Sequence, residues 1–188
     1  MSFCDVIMFS VRPGASDDIV ELEAIETTFT TDQVWQVEYR REGEELAVRF
    51  RPTRLPRSVV APVGGPPPAE WPQANLFLVA LDPLTGQRIG ALVATTDSHR
   101  GVAQLALILV APSHRRQGAG RALLRAASQW GRGAGIIAIV AEVRTQNYPA
   151  SRFLMRCGFV VCGYNDRVFP GRDIALLMGA DISAGGAH

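Results

Sequence analysis

The stretch LALILVAPSHRRQGAGRALL, residues 105–124, restricts what this chain can fold into more than any other segment. An apolar run suited to a buried strand stops at Val110 and turns at Pro112. It then passes through an arginine- and glycine-rich loop into a helical pattern, Ala122, Leu123, Ala126, Ala127 and Trp130. The start of such a helix offers backbone N–H groups without intrahelical partners and the positive end of the helix dipole. Gly118 and Gly120 carry no side chain to keep an anion away. From Ser98 to Ala141 there is no acid against six arginines, Arg100, Arg115, Arg116, Arg121, Arg125 and Arg132. A multiply phosphorylated ligand is the economical occupant. The alternative is that the glycines serve only a strand-to-helix turn and the arginines a solvated helix face.

The flanking pattern predicts the rest of an α/β chain. Residues 74–82, 87–96 and 102–110 read as three antiparallel central strands, the first two joined by the turn Pro83-Leu84-Thr85-Gly86. After the helix that begins at Gly118, residues 136–143 read as a buried strand, which makes a strand–helix–strand crossover. Residues 147–157 suit a short helix ended by Gly158, and 159–164 and 174–178 two closing strands. Upstream, a first helix is expected over 17–27, behind Ser16 as N-cap with Asp17 and Asp18 in its first turn. The alternating runs 35–39 and 46–50 predict an antiparallel pair. Seven of the twelve prolines lie between Pro52 and Pro72, which predicts a surface loop, and the tail 179–188 reads as disordered. The expectation is one domain, residues 1–178, with a mixed sheet of six to seven strands flanked by helices and no internal repeat.

Composition removes several classes of chemistry. All 19 basic residues are arginine, so a P-loop lysine, a Schiff base and a pyridoxal-phosphate anchor are excluded. A net charge of +1 gives no global case for nucleic acid or an anionic membrane. Cys4, Cys157 and Cys162 form neither a CxxC pair nor an even framework, and His99 and His114 lack ligand partners nearby in sequence, so no metal site is expected. The first residues, interrupted by Asp5, Arg12 and Pro13, do not read as a signal peptide, and the longest apolar run is far short of a bilayer span. A soluble, cytoplasmic protein is expected, with a homodimer left open.

A dinucleotide site competes for the glycine loop, but GAGRAL lacks the third glycine of GxGxxG, and the preceding antiparallel strands do not suit that fold. The chain instead resembles the GNAT superfamily of N-acetyltransferases over most of residues 12–178. Its signature is Arg or Gln, two residues, Gly, one residue, then Gly or Ala. Arg115, Gly118 and Gly120 match it behind Val110-Ala111-Pro112, and a second motif follows in order: Asn147, Ala150, Phe153 and Gly158-Phe159. The resemblance implies acetyl coenzyme A as co-substrate. The backbone of Ile108, Leu109 and Val110 would bond its pantetheine arm and offer an oxyanion hole. The amides of Gln117, Gly118, Ala119, Gly120 and Arg121 would hold the pyrophosphate, with Arg115 or Arg116 adding charge. Asn147, Phe153 and Arg156 would line the other side. The segments IETTFTTDQVWQVE and RFLMRCGFVVCGYNDRVFPGRDIALLM are also similar to those of streptothricin acetyltransferases.

Direct transfer needs a neutral amine, and an amine of pKa about 10.4 is neutral in only ~1 of 2500 molecules at pH 7, a gap of roughly 4.6 kcal/mol. Glu142, at the end of the apolar strand IIAIVAEV, is the candidate base on the expectation that burial raises its pKa. An ion pair with Arg144 is the competing role. Two positions depart from the family pattern. Gln104 stands where many members carry a carboxylate, and Leu154 where many carry the tyrosine that protonates the thiolate. Tyr148 or Tyr164 could replace that acid, with packing as their competing role. Residues 17–45 hold ten acids against Arg40 and Arg41 alone, in the region that covers the acceptor cleft in this family; a small cationic amine substrate explains them, and a solvated helix face and turn explain them equally well. The alternatives are a protein or peptide N-terminal amine, or a non-catalytic acyl-coenzyme A sensor.

Overall fold

The structure, a computed structural model, describes residues 9–169 and 173–183. Cys4 and the last five residues of the tail lie outside them. The described residues fall into two compact units, each assembled from separated stretches of chain: 9–27, 64–141 and 179–183 in one, and 28–63, 142–169 and 173–178 in the other. Nine strands are present among them: β1 (Ser10–Pro13), β2 (Thr28–Glu42), β3 (Glu45–Pro62), β4 (Leu76–Leu81), β5 (Arg88–Asp97), β6 (Val102–Val110), β7 (Ala138–Arg144), β8 (Val160–Asn165) and β9 (Ala175–Asp181). The helices are α1 (Ile19–Glu23), α2 (Ala119–Gly133) and α3 (Tyr148–Arg156). Seven strands share a mixed sheet in the order β1-β4-β5-β6-β7-β9-β8, and β2 and β3 form a separate antiparallel pair.

In the first unit, β4, β5 and β6 are antiparallel as the alternation predicts, with Leu78, Val79, Leu92, Leu107 and Leu109 buried. Alpha-helix α2 lays Leu123, Leu124 and Ala127 on this sheet, and removing those side chains from water drives the crossover. Gly90 is required where β5 meets β6, because a Cβ there would come 2.6 Å from the Leu109 carbonyl oxygen. The strand predicted at 174–178 runs on to Asp181. Ile182 is buried and its amide donates to the Ile137 carbonyl at 2.8 Å, so the predicted disordered tail is structured at least to that point.

Three other expectations change. The first helix is short: a 3₁₀ turn at Ser16–Asp18 leads into five residues of α-helix, because the chain is already extended in β2 from Thr28. Its start is held by the Asp18 carboxylate, which accepts from the Ala15 amide, rather than by Ser16. The stretch 52–72 is not a loop throughout. Its first part belongs to β3, which among the described residues has β2 as its sole ladder partner, so a proline can sit without breaking a second ladder. Pro56 falls in a bulge where Leu55–Ser58 oppose Asp32 alone. Its end is a 3₁₀ segment, Pro68–Gln73, that buries Trp71.

Candidate functional site

The glycine loop and the strand that feeds it lie in the first unit. The parallel ladder between β6 and β7 runs from Val102↔Ala138 to Leu105↔Ala141 and stops there, yet β6 continues to Val110. The backbone of Ala106–Val110 is thereby left without that ladder at the end of the strand that feeds the glycine loop. Past the turn Pro112–His114, Arg116 takes φ +64° and Gly118 φ +109°. These two left-handed residues bring the chain round so that Gly118 caps α2 from its own backbone. No side chain caps that start and no acid occupies its first turn. The amides of Ala119, Gly120 and Arg121 therefore face outward without an intrahelical partner. Gln117, Gly118 and Arg121 are exposed. Its free amides, helix dipole and exposed arginines make this start a candidate anion cradle.

The cradle is fastened from beneath. Arg115 does not extend toward an anion: its Nε donates to the Val110 carbonyl at 2.9 Å and its Nη2 to the Glu26 carbonyl at 3.3 Å. Of the two arginines expected to add charge, Arg116 alone is exposed. His114 Nε2 lies 3.0 Å from Asp82 Oδ2, and its Nδ1 2.9 Å from Ser113 Oγ. The Asp82 carboxyl is lowered to about 2 by the amides of Thr85 and Leu84, with His114 adding to the effect. The β4–β5 turn thus anchors the turn that leads into the loop. Gln117 Nε2 closes it by donating to the Ser113 carbonyl at 2.7 Å.

The remaining candidates lie in the second unit. Glu142 is exposed and has no ion pair among the described residues, so the burial on which its raised pKa was expected is absent, and so is the competing pair with Arg144. Arg144 instead meets Asp173 at 3.1 Å and stacks on Phe169 at 4.6 Å. Asn147 is the N-cap of α3, its Oδ1 accepting from the Ala150 amide at 3.1 Å. This structural task was not foreseen for it. Phe153 is half-buried and Arg156 exposed on α3. The Tyr164 ring packs edge-on against Phe50 with centroids 6.3 Å apart, which matches the packing role. Tyr148 is half-buried against Trp35, centroids 5.5 Å apart. Trp35 drew attention in the sequence only as a strand residue. Its sequence signal is an indole in the alternating run Trp35, Val37, Tyr39.

The acid count of residues 17–45 overstates the free negative charge. Asp18 is buried, 2% exposed, between Arg12 at 2.7 Å and Arg88 at 2.9 Å, and Glu21 also binds Arg88. Asp32 and Glu38 pair with Arg54 and Arg51. Asp17, Glu23, Glu42, Glu44 and Glu45 stay exposed without ion pairs among the described residues. Among the described residues, no group of three or more His, Cys, Asp or Glu is placed to hold a metal ion, and no helix is long and apolar enough to cross a membrane.

Comparison with known proteins agrees with this geometry. Residues 38–159 match the Acetyltransferase (GNAT) family. A streptothricin acetyltransferase of Streptomyces lavendulae is 30% identical over 166 residues, 86% of this chain and 85% of that protein. The crystal structure of nourseothricin acetyltransferase superposes with a TM-score of 0.78 at 26% identity, covering 93% of this chain and 98% of the other. A Bacillus anthracis chain assigned as a streptothricin acetyltransferase and solved with acetyl coenzyme A shares the fold, with a TM-score of 0.76 at 21% identity over 93% of this chain and 98% of that one. A strand that leaves its ladder, an uncapped helix start behind Arg115-x-x-Gly118-x-Gly120 and likeness over nearly the whole length lead to one conclusion: the chain belongs to the GNAT family of acetyltransferases.

Proposed function

We propose that this acetyl-coenzyme A-dependent N-acetyltransferase acetylates a primary amine of a small polycationic molecule of the streptothricin kind. The observation that carries the substrate class is the 30% identity to the Streptomyces lavendulae streptothricin acetyltransferase over 86% of the chain. Acetyl coenzyme A supplies the electrophilic thioester and the diphosphate handle, and the residues present suit both. The amides of Ala119, Gly120 and Arg121 would hold the diphosphate, with exposed Arg116 and Arg121 matching its charge. The β6 backbone from Ile108 to Val110 would bond the pantetheine arm, and an amide there would donate to the carbonyl oxygen as negative charge develops on it.

The acceptor arrives protonated and must lose a proton before it attacks. Glu142 would receive that proton: it is the exposed, unpaired carboxylate on β7. Exposure suits it to relay the proton onward to water. The leaving thiolate asks little of the protein, since a thiol pKa near 8.5 lies about 1.5 units from neutrality. A missing tyrosine at Leu154 is then no obstacle, because solvent can protonate the sulfur. Thiol release from acetyl coenzyme A, followed with streptothricin, aminoglycosides, polyamines and N-terminal peptides, tests the proposal. Turnover on small cations is expected. Turnover confined to peptides, or tight acetyl coenzyme A binding with no turnover on any amine, would overturn it.

A further inference from the structure

We propose that the Trp35–Tyr148 ring pair is the subsite that receives a cationic group of the acceptor. This rests on the proposed function and assigns the part of the second unit that recognises the substrate. The pair is held with more care than packing alone requires. The Trp35 indole Nε1 donates to Ser151 Oγ at 2.8 Å, and Ser151, fully buried, donates in turn to the Tyr148 carbonyl at 2.9 Å. The Trp35 amide donates to the Thr145 carbonyl at 2.9 Å. Main chain and side chain of Trp35 are therefore pinned to the turn between β7 and α3, and the indole is fixed relative to the first residue of α3. Both residues nevertheless stay half-buried and not fully covered, with their rings tilted at 44° and centroids 5.5 Å apart. Two π-faces held rigid at a surface attract a cation and lose little entropy when they do so.

The charges on the strand that leads to this anchor are compatible with the same occupant. Thr145, which Trp35 binds, is three residues beyond Glu142, so at strand spacing the pair's anchor lies about 10 Å along the chain from the free carboxylate. The one cation on that stretch, Arg144, is matched by Asp173, which Gln146 also binds at 2.9 Å, and it rests on Phe169. Its charge is thus engaged and does not oppose an incoming ammonium. A molecule with two separated amines could set one on the rings while the other stands near Glu142.

The test is acceptor KM and kcat for Trp35→Leu, Trp35→Phe, Tyr148→Leu and Tyr148→Phe with streptothricin, alongside calorimetric binding of streptothricin and of acetyl coenzyme A to each. Loss of a ring face should raise the KM for streptothricin roughly 3- to 30-fold. Leucine should have more effect than phenylalanine, the change should sit in KM, and acetyl coenzyme A affinity should stay at the wild-type value. Four substitutions at two positions guard against one variant that does not fold. Unchanged streptothricin binding in folded Trp35→Leu and Tyr148→Leu would overturn the subsite while leaving the proposed function standing. A fall in kcat for Tyr148→Phe at constant KM would overturn it in favour of a proton-transfer role for the hydroxyl. Failure of the wild type itself to bind streptothricin would overturn both.

Discussion

Replacing Gly118 by alanine separates the two consequences of its backbone conformation. Gly118 sits at φ +109° and ψ −9°, beyond the left-handed well that residues with a Cβ can occupy. A Cβ there would meet nothing closer than the Phe9 ring at 3.9 Å, so the substitution costs conformational strain and not overlap. Strain of this kind is worth about 1–3 kcal/mol. For a chain of 188 residues that corresponds to a Tm lower by roughly 2–12 °C. If the loop relaxes to relieve the strain, the amides that follow turn away from the cradle. Loss of one charge-assisted hydrogen bond to a phosphate oxygen weakens binding by about 1.5–3 kcal/mol, or roughly 10- to 150-fold. Scanning calorimetry measures the first effect and titration with acetyl coenzyme A the second. Gly133→Ala serves as control, since a Cβ at that exposed helix end meets nothing within 4 Å, and it should bind acetyl coenzyme A as the wild type does. A Gly118→Ala protein that is destabilised yet binds acetyl coenzyme A within threefold of wild type would refute the assignment of the cradle.

Other expectations are simpler to state. Arg115→Ala removes the hydrogen bonds to the Val110 and Glu26 carbonyls and should raise the KM for acetyl coenzyme A about tenfold through a displaced loop; steady-state kinetics at varied acetyl coenzyme A would show it, and an unchanged KM would contradict the fastening role. Glu142→Gln should lower kcat by ~10²-fold or more with acetyl coenzyme A binding retained; a loss below threefold would assign the proton to water. Hydrogen bonds from Arg12, aided by the Ala15 amide and Arg88, hold the Asp18 carboxyl well below the usual carboxylate range. Because the folded pKa is the lower one, the stability Asp18 contributes is complete above its unfolded pKa of about 3.9 and is lost as pH falls below that value. Asp18→Asn should therefore cost about 1–3 kcal/mol at pH 7, less than a fully buried pair because Arg12 and Arg88 are about a third exposed. Denaturant titration at pH 7 and pH 3 should show that difference shrinking at the lower pH.

The part of this fold legible in the sequence is the part governed by one period at a time. Between its polar turns the stretch 76–110 alternates or runs apolar, and α2 repeats its small and apolar residues at helical spacing, so strands and helix stand within a few residues of where they are expected. The pair β2–β3 was legible at 35–39 and 46–50, but its continuation was hidden because Pro52, Pro56 and Pro62 argue against a strand, an objection that holds for a central strand and lapses where only one side is paired. Charge was misread for a related reason. Composition counts Asp18 and Glu21 as available acids, and only the fold reveals that Arg12, six residues from Asp18, and Arg88, seventy residues from it, consume them. The strand-to-helix turn ahead of α2 was legible since it follows from local chain order alone. The Trp35–Tyr148 pair was not, because it joins residues more than a hundred positions apart through Ser151, and nothing in either local pattern announces the other.

The most direct test of the account is the mass of streptothricin after incubation with acetyl coenzyme A and the purified protein. The account predicts one acetyl group added on an amine of the antibiotic, with one coenzyme A released for each. Coenzyme A released while the antibiotic stays unmodified, or acetyl recovered only on peptide amines, would contradict it.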